Sequence, residues 1–398
     1  MKLGYLVPQF PGQTHAFFWR EIQALESLGV EVHIFSTRPP PRGLVSHDWS
    51  DEAVARTMYL GLGTLNDRVA AGLRLPSWLA KPTLRDAGAP ALKSALISAP
   101  AAIALRRLCN ARGIGHVHVH SAANAAMTAA LSRLAGGPTY SLTLHGPMQD
   151  YGPAQPFKWS GADFGIVITR VLEKELRDAL GPSCPSRLHV CPMGVDTDAF
   201  CPTGAYVPWG AEGPLRLFSC GRLNPVKGHD TAIAAVARLN AAGIPAHLTI
   251  AGEDDQGGEG YRHELESLIG RSGAGDDVTL LGAVNSDTIL RHLRQAHIFV
   301  LASHHEPLGV AYMEAMACGC PTIGTDAGGV RELIRDGVDG RLVPPQNVEA
   351  LADAIERLAR DKDLASRLSE AGRARVVSAF NSRKSAQVIF DEMEGRAS

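Results

Sequence analysis

Residues 303–334 read SHHEPLGVAYMEAMACGCPTIGTDAGGVRELI and contain two glutamates, Glu306 and Glu314, with seven residues between them. Proline is tolerated only in the first turn of a helix, so Pro307 predicts that a helix begins near Leu308 or Gly309. Glu306 would then lie in the loop before the helix, and Glu314 more than one turn inside it. Eight helical residues rise about 12 Å. The segment therefore predicts two carboxylates near opposite ends of an elongated ligand, although a solvated pair of acids would read the same in isolation.

A diphosphate flanked by a sugar and a ribose has roughly this reach. One carboxylate would bind sugar hydroxyls and the other ribose hydroxyls. The backbone amides of Gly309 and Val310, at the N-terminus of the predicted helix, would meet the phosphates between them. A nucleotide sugar is the ligand that this spacing favours.

A second polar element, residues 219–230, reads SCGRLNPVKGHD and lies between a predicted strand and a predicted helix. Arg222 and Lys227 stand in its turn, and two cations there suit a diphosphate because they neutralise the charge that grows on a leaving group. Ligands of open α/β sheets bind beyond the carboxyl ends of strands. The alternative is that both side chains are merely solvated loop cations.

The whole chain alternates strand-length apolar runs with helix-length segments, which predicts βαβ units and parallel sheets. Residues 201–214, CPTGAYVPWGAEGP, are rich in Pro and Gly and indicate a linker between two α/β domains. We expect helices at 16–28, 230–241, 259–270, 348–358 and 381–393. The predicted strands are 3–7, 30–36, 116–120, 139–144, 164–169, 188–191, 215–219, 246–251, 278–281, 298–301, 322–324 and 340–343.

These segments together resemble the family 4 (group 1) retaining glycosyltransferases. The matching stretches are GR at 221–222, KG at 227–228, EPLGVAYME at 306–314, EAMACGCP at 314–321 and GGVRELI at 328–334. The resemblance implies the α/β GT-B fold, in which two Rossmann-like domains face each other across a cleft and a C-terminal helix crosses back to the first domain. We accordingly expect an acceptor-side domain at 1–205 that also contains 378–398, and a donor-binding domain at 206–377.

The resemblance also implies roles for individual residues. Glu306 corresponds to the acid that binds the donor sugar, Glu314 to the one that binds ribose, and Arg222 and Lys227 to the cations on the diphosphate. Leu308, within the same donor site, stands where the family often has Phe. Family members need no metal or other cofactor, so we expect none. The Asp-Thr-Asp at 196–198 is similar to a structural segment of the family and is not expected to bind metal.

In the N-terminal half, Gly12 permits close approach of the backbone to a ligand. The turn containing Gly12, Gln13 and Thr14 is similar to a variant common among bacterial exopolysaccharide glycosyltransferases, and Gln13 and Thr14 are acceptor-side candidates. His145 ends the stretch YSLTLHG, where the family places a histidine near the reactive carbon of the donor, and is a catalytic candidate together with Glu306, Arg222 and Lys227.

The stretch HVHVHSA puts His116, His118 and His120 on one face of a strand, since alternate strand residues share a face. Such a row could mimic a metal cluster. We favour a strand of a parallel sheet whose last histidine, His120, lies at the carboxyl end and lines the cleft on the acceptor side.

Composition excludes some classes of protein. Lys plus Arg total 39 against 41 Asp plus Glu, so no net charge favours nucleic acid as a partner. Seven cysteines without CxxC spacing argue against a disulfide framework or zinc site and favour the cytosol. No run of about 20 apolar residues is evident, so no membrane span is expected.

Residues 68–112 carry eight Lys and Arg residues against one acid, Asp86, with Trp78 among them. The segment is either a solvated helical insert or a surface that touches anionic lipid on the inner face of the membrane. The overall expectation is a metal-independent retaining transferase that moves a sugar from a UDP- or GDP-type donor to a hydroxyl, with a lipid-linked acceptor as in exopolysaccharide or other cell-envelope glycan synthesis. The alternatives are a GT-B sugar-nucleotide epimerase and a catalytically inactive nucleotide-sugar-binding protein.

Overall fold

The chain divides into two compact units in a computed structural model that describes residues 1–12, 15–40, 48–254 and 260–397. The first unit is Met1–Pro192 together with Arg383–Ser398, and the second is Met193–Ser382. Residues 201–214, which composition marks as a linker, belong to the second unit.

Each unit contains one parallel sheet in the part of the chain that the structure describes. In the described residues, seven strands of the first unit follow the order β3-β2-β1-β4-β5-β6-β7, and six strands of the second follow β10-β9-β8-β11-β12-β13. The strands are β1 Lys2–Gln9, β2 Glu31–Arg38, β3 Thr57–Tyr59, β4 His116–Val119, β5 Thr139–Leu144, β6 Gly165–Val167, β7 Leu188–Val190, β8 Leu215–Cys220, β9 Ala246–Ala251, β10 Val278–Gly282, β11 Ile298–Val300, β12 Thr322–Thr325 and β13 Arg341–Val343.

Helices cover the sheets. They are α1 Ala16–Ser27, α2 Ser50–Arg56, α3 Leu65–Leu79, α4 Pro82–Arg85, α5 Gly88–Arg112, α6 Asn124–Leu134, α7 Gln155–Trp159, α8 Arg170–Leu180, α9 His229–Ala241, α10 Tyr261–Arg271, α11 Ser286–Gln295, α12 Val310–Ala317, α13 Val330–Leu333, α14 Val348–Arg360, α15 Lys362–Ala379 and α16 Arg383–Ala397.

Every predicted strand is present, with ends that differ by one or two residues at most. Strands of a parallel sheet are covered on both faces and therefore read as nearly continuous apolar runs. In the second unit Leu217, Leu248 and Val300 are almost fully buried in one apolar cluster with residues of α9 and α14. The α/β fold class expected from the sequence is confirmed. Strand β3 was not predicted, because three residues directly after a helix carry no periodicity to detect.

Helix α16 belongs to the first unit, where it packs against α1. Its Glu392 carboxylate lies 2.8 Å from Nε2 of His189 and 2.6 Å from Nη1 of Arg187. The C-terminal helix therefore returns to the N-terminal unit, as the resemblance implied.

Helix α5 is long and apolar enough to cross a membrane by length and composition. The sequence-based expectation was that no run of about 20 apolar residues occurs, and within α5 the residues Lys93 and Arg106 interrupt the apolar stretch. More than half of the apolar stretch is buried, and α5 packs against α3 and α6. The buried core helix of a globular protein meets the same criterion, so this is weak support for a span.

Candidate active site

Glu306 and Lys227 meet at the carboxyl ends of two neighbouring strands of the second unit. Glu306 follows β11, Lys227 follows β8, and these strands pair in parallel. Nζ of Lys227 lies 2.5 Å from Oε2 of Glu306, and Oγ of Ser303 donates to the same oxygen at 3.2 Å. Glu306 is buried, with 7% exposure. The fold thus joins the two predicted motifs in an ion pair on the sheet edge where α/β proteins bind ligands.

Glycines allow the loops around this pair to approach each other. Gly228 has φ +64°, and a Cβ there would come within 1.9 Å of the Ala302 carbonyl oxygen. The His304 amide donates to the Val226 carbonyl at 2.7 Å. The loop that carries Lys227 is therefore locked against the chain that leaves β11.

The Gly-Gly pair at 328–329 holds the backbone of Glu306. Gly328 has φ +67°, and a Cβ there would lie 2.2 Å from the Glu306 carbonyl oxygen. The amide of Gly329 donates to that same oxygen at 3.0 Å. The double glycine fixes the position of the Glu306 main chain, and side chains at 328 would push it away.

Helix α12 begins at Val310, one or two residues after the predicted start, with Gly309 as its N-cap residue at φ +98°. A Cβ at Gly309 would meet the Tyr312 ring at 2.4 Å. The Tyr312 hydroxyl donates to the Leu301 carbonyl at 2.7 Å, and burial, with the Glu306 charge, raises the pKa of Tyr312. Leu308 is 3% exposed, so its side chain faces the interior.

Arg222 and Glu314 complete the predicted donor-site set. Arg222 is exposed on the loop that carries Lys227, and Glu314 is partly exposed on α12. Burial and the charge of Glu314 raise the pKa of the Cys220 thiol to about 12, while Lys227 acts in the opposite direction. Glu314 and Lys227 therefore both lie near Cys220, the last residue of β8.

His229 was not among the predicted site residues. It is fully buried at the start of α9. Burial and then the Lys227 charge lower the pKa of His229 to about 4, so the ring is neutral near pH 7. A neutral imidazole beside Lys227 adds no competing positive charge to the loop.

In the first unit, a row of histidines on β4 faces hydroxyls of β5. His116 contacts Oγ1 of Thr139 at 2.6 Å and Oγ of Ser141 at 2.8 Å. His118 contacts Ser141 Oγ at 2.7 Å and Thr143 Oγ1 at 2.8 Å. These two rings are thus held by cross-strand hydrogen bonds.

His120 and His145 lie side by side at the carboxyl ends of β4 and β5. Nδ1 of His120 is 3.2 Å from Nε2 of His145, and the rings stack at 5.4 Å between centroids. On its other side His120 Nε2 lies 2.8 Å from Oε2 of Glu21 in α1. Glu21 was not among the predicted site residues, because it is a lone acid on the buried face of α1 that carries Phe18, Ile22 and Leu25.

The predicted turn after β1 is only partly described. The amide of His15 donates to the Gly12 carbonyl at 3.0 Å, and a Cβ at Gly12 would come within 2.5 Å of the His15 ring. Gly12 therefore accommodates a close approach within its own turn. Gln13 and Thr14, the acceptor-side candidates, lie outside the described residues.

Two family profiles match the chain in sequence. Residues 209–375 match the family described as Glycosyl transferases group 1, and residues 16–199 match Glycosyltransferase Family 4. Together they account for most of both units. The chain belongs to the group 1, family 4 glycosyltransferases. The predicted resemblance is confirmed.

Curated proteins similar in sequence include the amylovoran biosynthesis glycosyltransferase AmsK of Erwinia amylovora. It is 26% identical to this chain, and the alignment covers 96% of each protein. A D-inositol 3-phosphate glycosyltransferase of Geodermatophilus obscurus is 34% identical over 55% of this chain, which spans only half the length of that relative.

A similar solved structure is Anabaena HepE in complex with UDP-glucose. It superposes on 99% of this chain and 100% of its own, with a TM-score of 0.77 and 17% sequence identity. At this identity the likeness supports the fold alone.

Proposed function

We propose that this protein is a retaining, metal-independent glycosyltransferase that transfers a sugar from a UDP- or GDP-type nucleotide sugar to an acceptor hydroxyl in exopolysaccharide or other cell-envelope glycan synthesis. The observation that carries this proposal is the Lys227–Glu306 pair at the carboxyl ends of β8 and β11, in a chain that belongs to the glycosyltransferase family.

The donor site has the charges that a nucleotide diphosphate requires. Arg222 and Lys227 neutralise the diphosphate, and the amides at Gly309 and Val310 meet it at the start of α12. Glu306 binds hydroxyls of the transferred sugar and holds Lys227 in place, and Glu314 binds the ribose. Two cations and a helix N-terminus supply the positive charge that a metal would otherwise bring.

The transfer proceeds by front-face attack. The bond between the anomeric carbon and the β-phosphate oxygen breaks, and a bond from the acceptor oxygen to the same face of that carbon forms. The acceptor proton passes to the departing phosphate, so the products are a nucleoside diphosphate and a glycoside of retained configuration. Glu306 is held by Lys227 and Ser303 as a binding group, so this scheme assigns no carboxylate as nucleophile, unlike retaining glycosidases. His145 contacts the substrate.

A membrane surface is the second part of the proposal. Leu65, Val69 and Leu73, spaced four residues apart on α3, are 72%, 58% and 79% exposed, and we name these three residues the α3 ridge. A helix with exposed apolar residues and neighbouring cations is typical of peripheral membrane contact. Arg68 of α3 is exposed, as are Lys81 and Lys93 further along the basic segment.

Two details of the basic segment differ from the sequence-based expectation. Trp78 is 2% exposed and therefore cannot insert into lipid. Arg107 is ion-paired to Asp67 at 3.0 Å, and Arg85 to Asp86 at 3.3 Å, so part of the positive charge is compensated. The α3 ridge takes the place of Trp78 in our proposal that the protein docks peripherally on the inner, anionic face of the membrane beside a lipid-linked acceptor.

A panel of UDP- and GDP-sugars tests the catalytic proposal. We expect one donor to be consumed with release of the nucleoside diphosphate, in the presence of EDTA, and NMR of the product to show retained anomeric configuration. Conversion of the nucleotide sugar into its epimer would support the epimerase instead. Donor binding without turnover, with every acceptor fraction tried, would support an inactive binding protein. Activity lost in EDTA and restored by a divalent cation would refute the metal-independent mechanism.

A further inference from the structure

A chain of polar side chains leads from the interior of the first unit to His145. The Tyr5 hydroxyl donates to Oε2 of Glu21 at 2.7 Å, and His120 Nε2 lies 2.8 Å from that oxygen. His120 Nδ1 lies 3.2 Å from Nε2 of His145. Tyr5, Glu21 and His120 are at most 2% exposed, whereas His145 is partly exposed. Only the last member of the chain can meet a substrate.

The charge states along the chain determine where each proton lies. Burial, with the Glu21 charge and hydrogen bond, raises the pKa of Tyr5, so its hydroxyl keeps the proton and donates it to Glu21. A carboxylate can only accept hydrogen bonds, and a neutral imidazole has one N–H and one acceptor nitrogen. Burial lowers the pKa of His120 to about 3, so the ring is neutral. Its single proton therefore belongs on Nε2, which faces the carboxylate.

The proton of His120 in turn determines the tautomer of His145. With its proton on Nε2, His120 presents a lone pair at Nδ1, and Nε2 of His145 must donate to it. Burial, and then the neighbouring His120, lower the pKa of His145 to about 3. His145 is thus neutral, its only proton points back toward His120, and its Nδ1 is left as an acceptor.

We propose that Glu21 and His120 are positioning residues that hold His145 as the Nε2–H tautomer, so that its Nδ1 accepts a hydrogen bond from a hydroxyl group of a sugar substrate. This inference rests on the proposed function, because it assumes that His145 contacts the sugar substrate. Aromatic packing restrains the same ring, since the Phe17 and Phe18 rings each lie 5.6 Å from that of His145.

A metal ion is the competing explanation for a buried Glu–His cluster. Glu21, His118 and His120 each offer one ligand atom, and these atoms lie within 4.8 Å of one another. However, both ring nitrogens of His118 are already hydrogen-bonded to hydroxyls, Ser141 on one side and Thr143 on the other. These bonds would have to break before His118 could bind a metal, whereas Tyr5, Glu21, His120 and His145 already lie within 2.7–3.2 Å of one another in sequence along the chain.

Nitrogen-15 NMR of the histidine-labelled full-length protein tests the tautomer directly. We expect His145, assigned by comparison with His145→Ala, to show a protonated Nε2 and an unprotonated Nδ1 near pH 7.5. A proton on Nδ1 of His145 in the wild type would overturn the inference. Stoichiometric zinc or another transition metal in the purified protein, lost in Glu21→Gln, would overturn it as well.

Variants then connect the tautomer to the reaction. His120→Asn keeps an amide near the position of the imidazole Nδ1 but breaks the link to Glu21. We expect mixed His145 tautomers and a kcat lower on the order of 10–100-fold, with a smaller change in the donor KM. His116→Asn is the matched control, because it removes a buried histidine of the same strand face that lies outside the chain. Wild-type kcat and an unchanged tautomer in a folded His120→Asn variant would refute the positioning role.

The variants distinguish a failure of the proposed function from a failure of the positioning role. Full activity in His145→Ala would remove His145 from the proposed function, whatever the NMR shows. If His145→Ala lost activity while Glu21→Gln and His120→Asn kept wild-type kinetics and the same His145 tautomer, the proposed function would stand. Only the positioning role of Glu21 and His120 would then be refuted. Thermal unfolding of each variant shows whether it is folded.

Discussion

Replacement of Lys227 and Glu306, singly and together, separates the structural and the catalytic roles of the central ion pair. Lys227→Met keeps most of the side-chain length and removes the charge, and Glu306→Gln keeps the shape and removes the charge. The double variant removes both charges at once. In the structure the two groups are 2.5 Å apart, with side-chain exposures of 19% and 9%.

The expected magnitude follows from this geometry. A partly buried charge that loses its partner costs roughly 1–3 kcal/mol in stability, discounted from the 3–5 kcal/mol of a fully buried pair. Replacing both charges by neutral groups of similar shape restores much of that loss. For donor turnover, removal of a charge-assisted contact costs about 1.5–3 kcal/mol, or roughly 10- to 150-fold in kcat/KM.

The assays are urea unfolding for stability and initial rates with the identified donor for catalysis. We expect both single variants to be less stable than the double variant. Donor kcat/KM should fall in all three, because Lys227 binds the diphosphate and Glu306 binds the sugar, whatever their mutual attraction contributes. Arg216→Met, a cation of the same unit on β8 whose Nε donates to the Gln295 carbonyl, is the matched control and should keep full kcat/KM.

Recovery of activity in the double variant would contradict the assignment of Lys227 and Glu306 to the donor site. If the double variant regained wild-type kcat/KM together with its stability, the pair would be structural only, and the donor site would lie elsewhere.

Three further predictions follow from single features of the structure. Gly328→Ala should lower the free energy of unfolding by more than about 1 kcal/mol and should also lower donor turnover, because the added Cβ would press on the Glu306 carbonyl oxygen and φ is positive at this position. Gly204→Ala is the control and should change neither quantity, since a Cβ there meets nothing within 4 Å. The pKa of His229 is about 4 in the folded protein and roughly 6.5 in the unfolded chain, so the neutral ring contributes its full stability above pH 6.5 and that stability is lost as pH falls toward 4. The difference in unfolding free energy between pH 7.5 and pH 5 should therefore be smaller in His229→Gln, by on the order of 1–2 kcal/mol. An unchanged difference would contradict the lowered pKa of His229. Serine at all three positions of the α3 ridge should abolish pelleting with anionic vesicles at low salt. Val377→Ser, at an exposed apolar position of the second unit, is the control and should leave pelleting unchanged. If the wild type pelleted equally with neutral vesicles, or did not pellet with anionic ones, membrane docking would be refuted.

The basic segment shows how far charge and composition carry a prediction. Its cations could be counted from the sequence, but the count did not reveal that Asp67, just outside the segment, pairs with Arg107. Trp78 looked available for lipid, yet it is buried, while leucines of α3 are exposed. Composition reports which side chains a segment has, and packing against α5 decides which of them face outward.

Twelve of the thirteen described strands, several helices and the two donor motifs could be predicted from the sequence alone. Parallel strands are buried on both faces and helices on one, so each carries a local apolar pattern that can be read without the rest of the chain. The loop chemistry around Arg222 and the Glu306–Glu314 spacing are equally local. Which of these local features meet depends on how the strands and helices pack. Lys227 reaches Glu306 because β8 and β11 are neighbours in the sheet although they are far apart in the chain. Glu21 reaches His120 because α1 packs beside the carboxyl end of β4, and nothing near Glu21 in sequence identifies its partner. Contacts of this kind depend on which strands pair, and that is settled by the burial of the whole sheet rather than by any single segment.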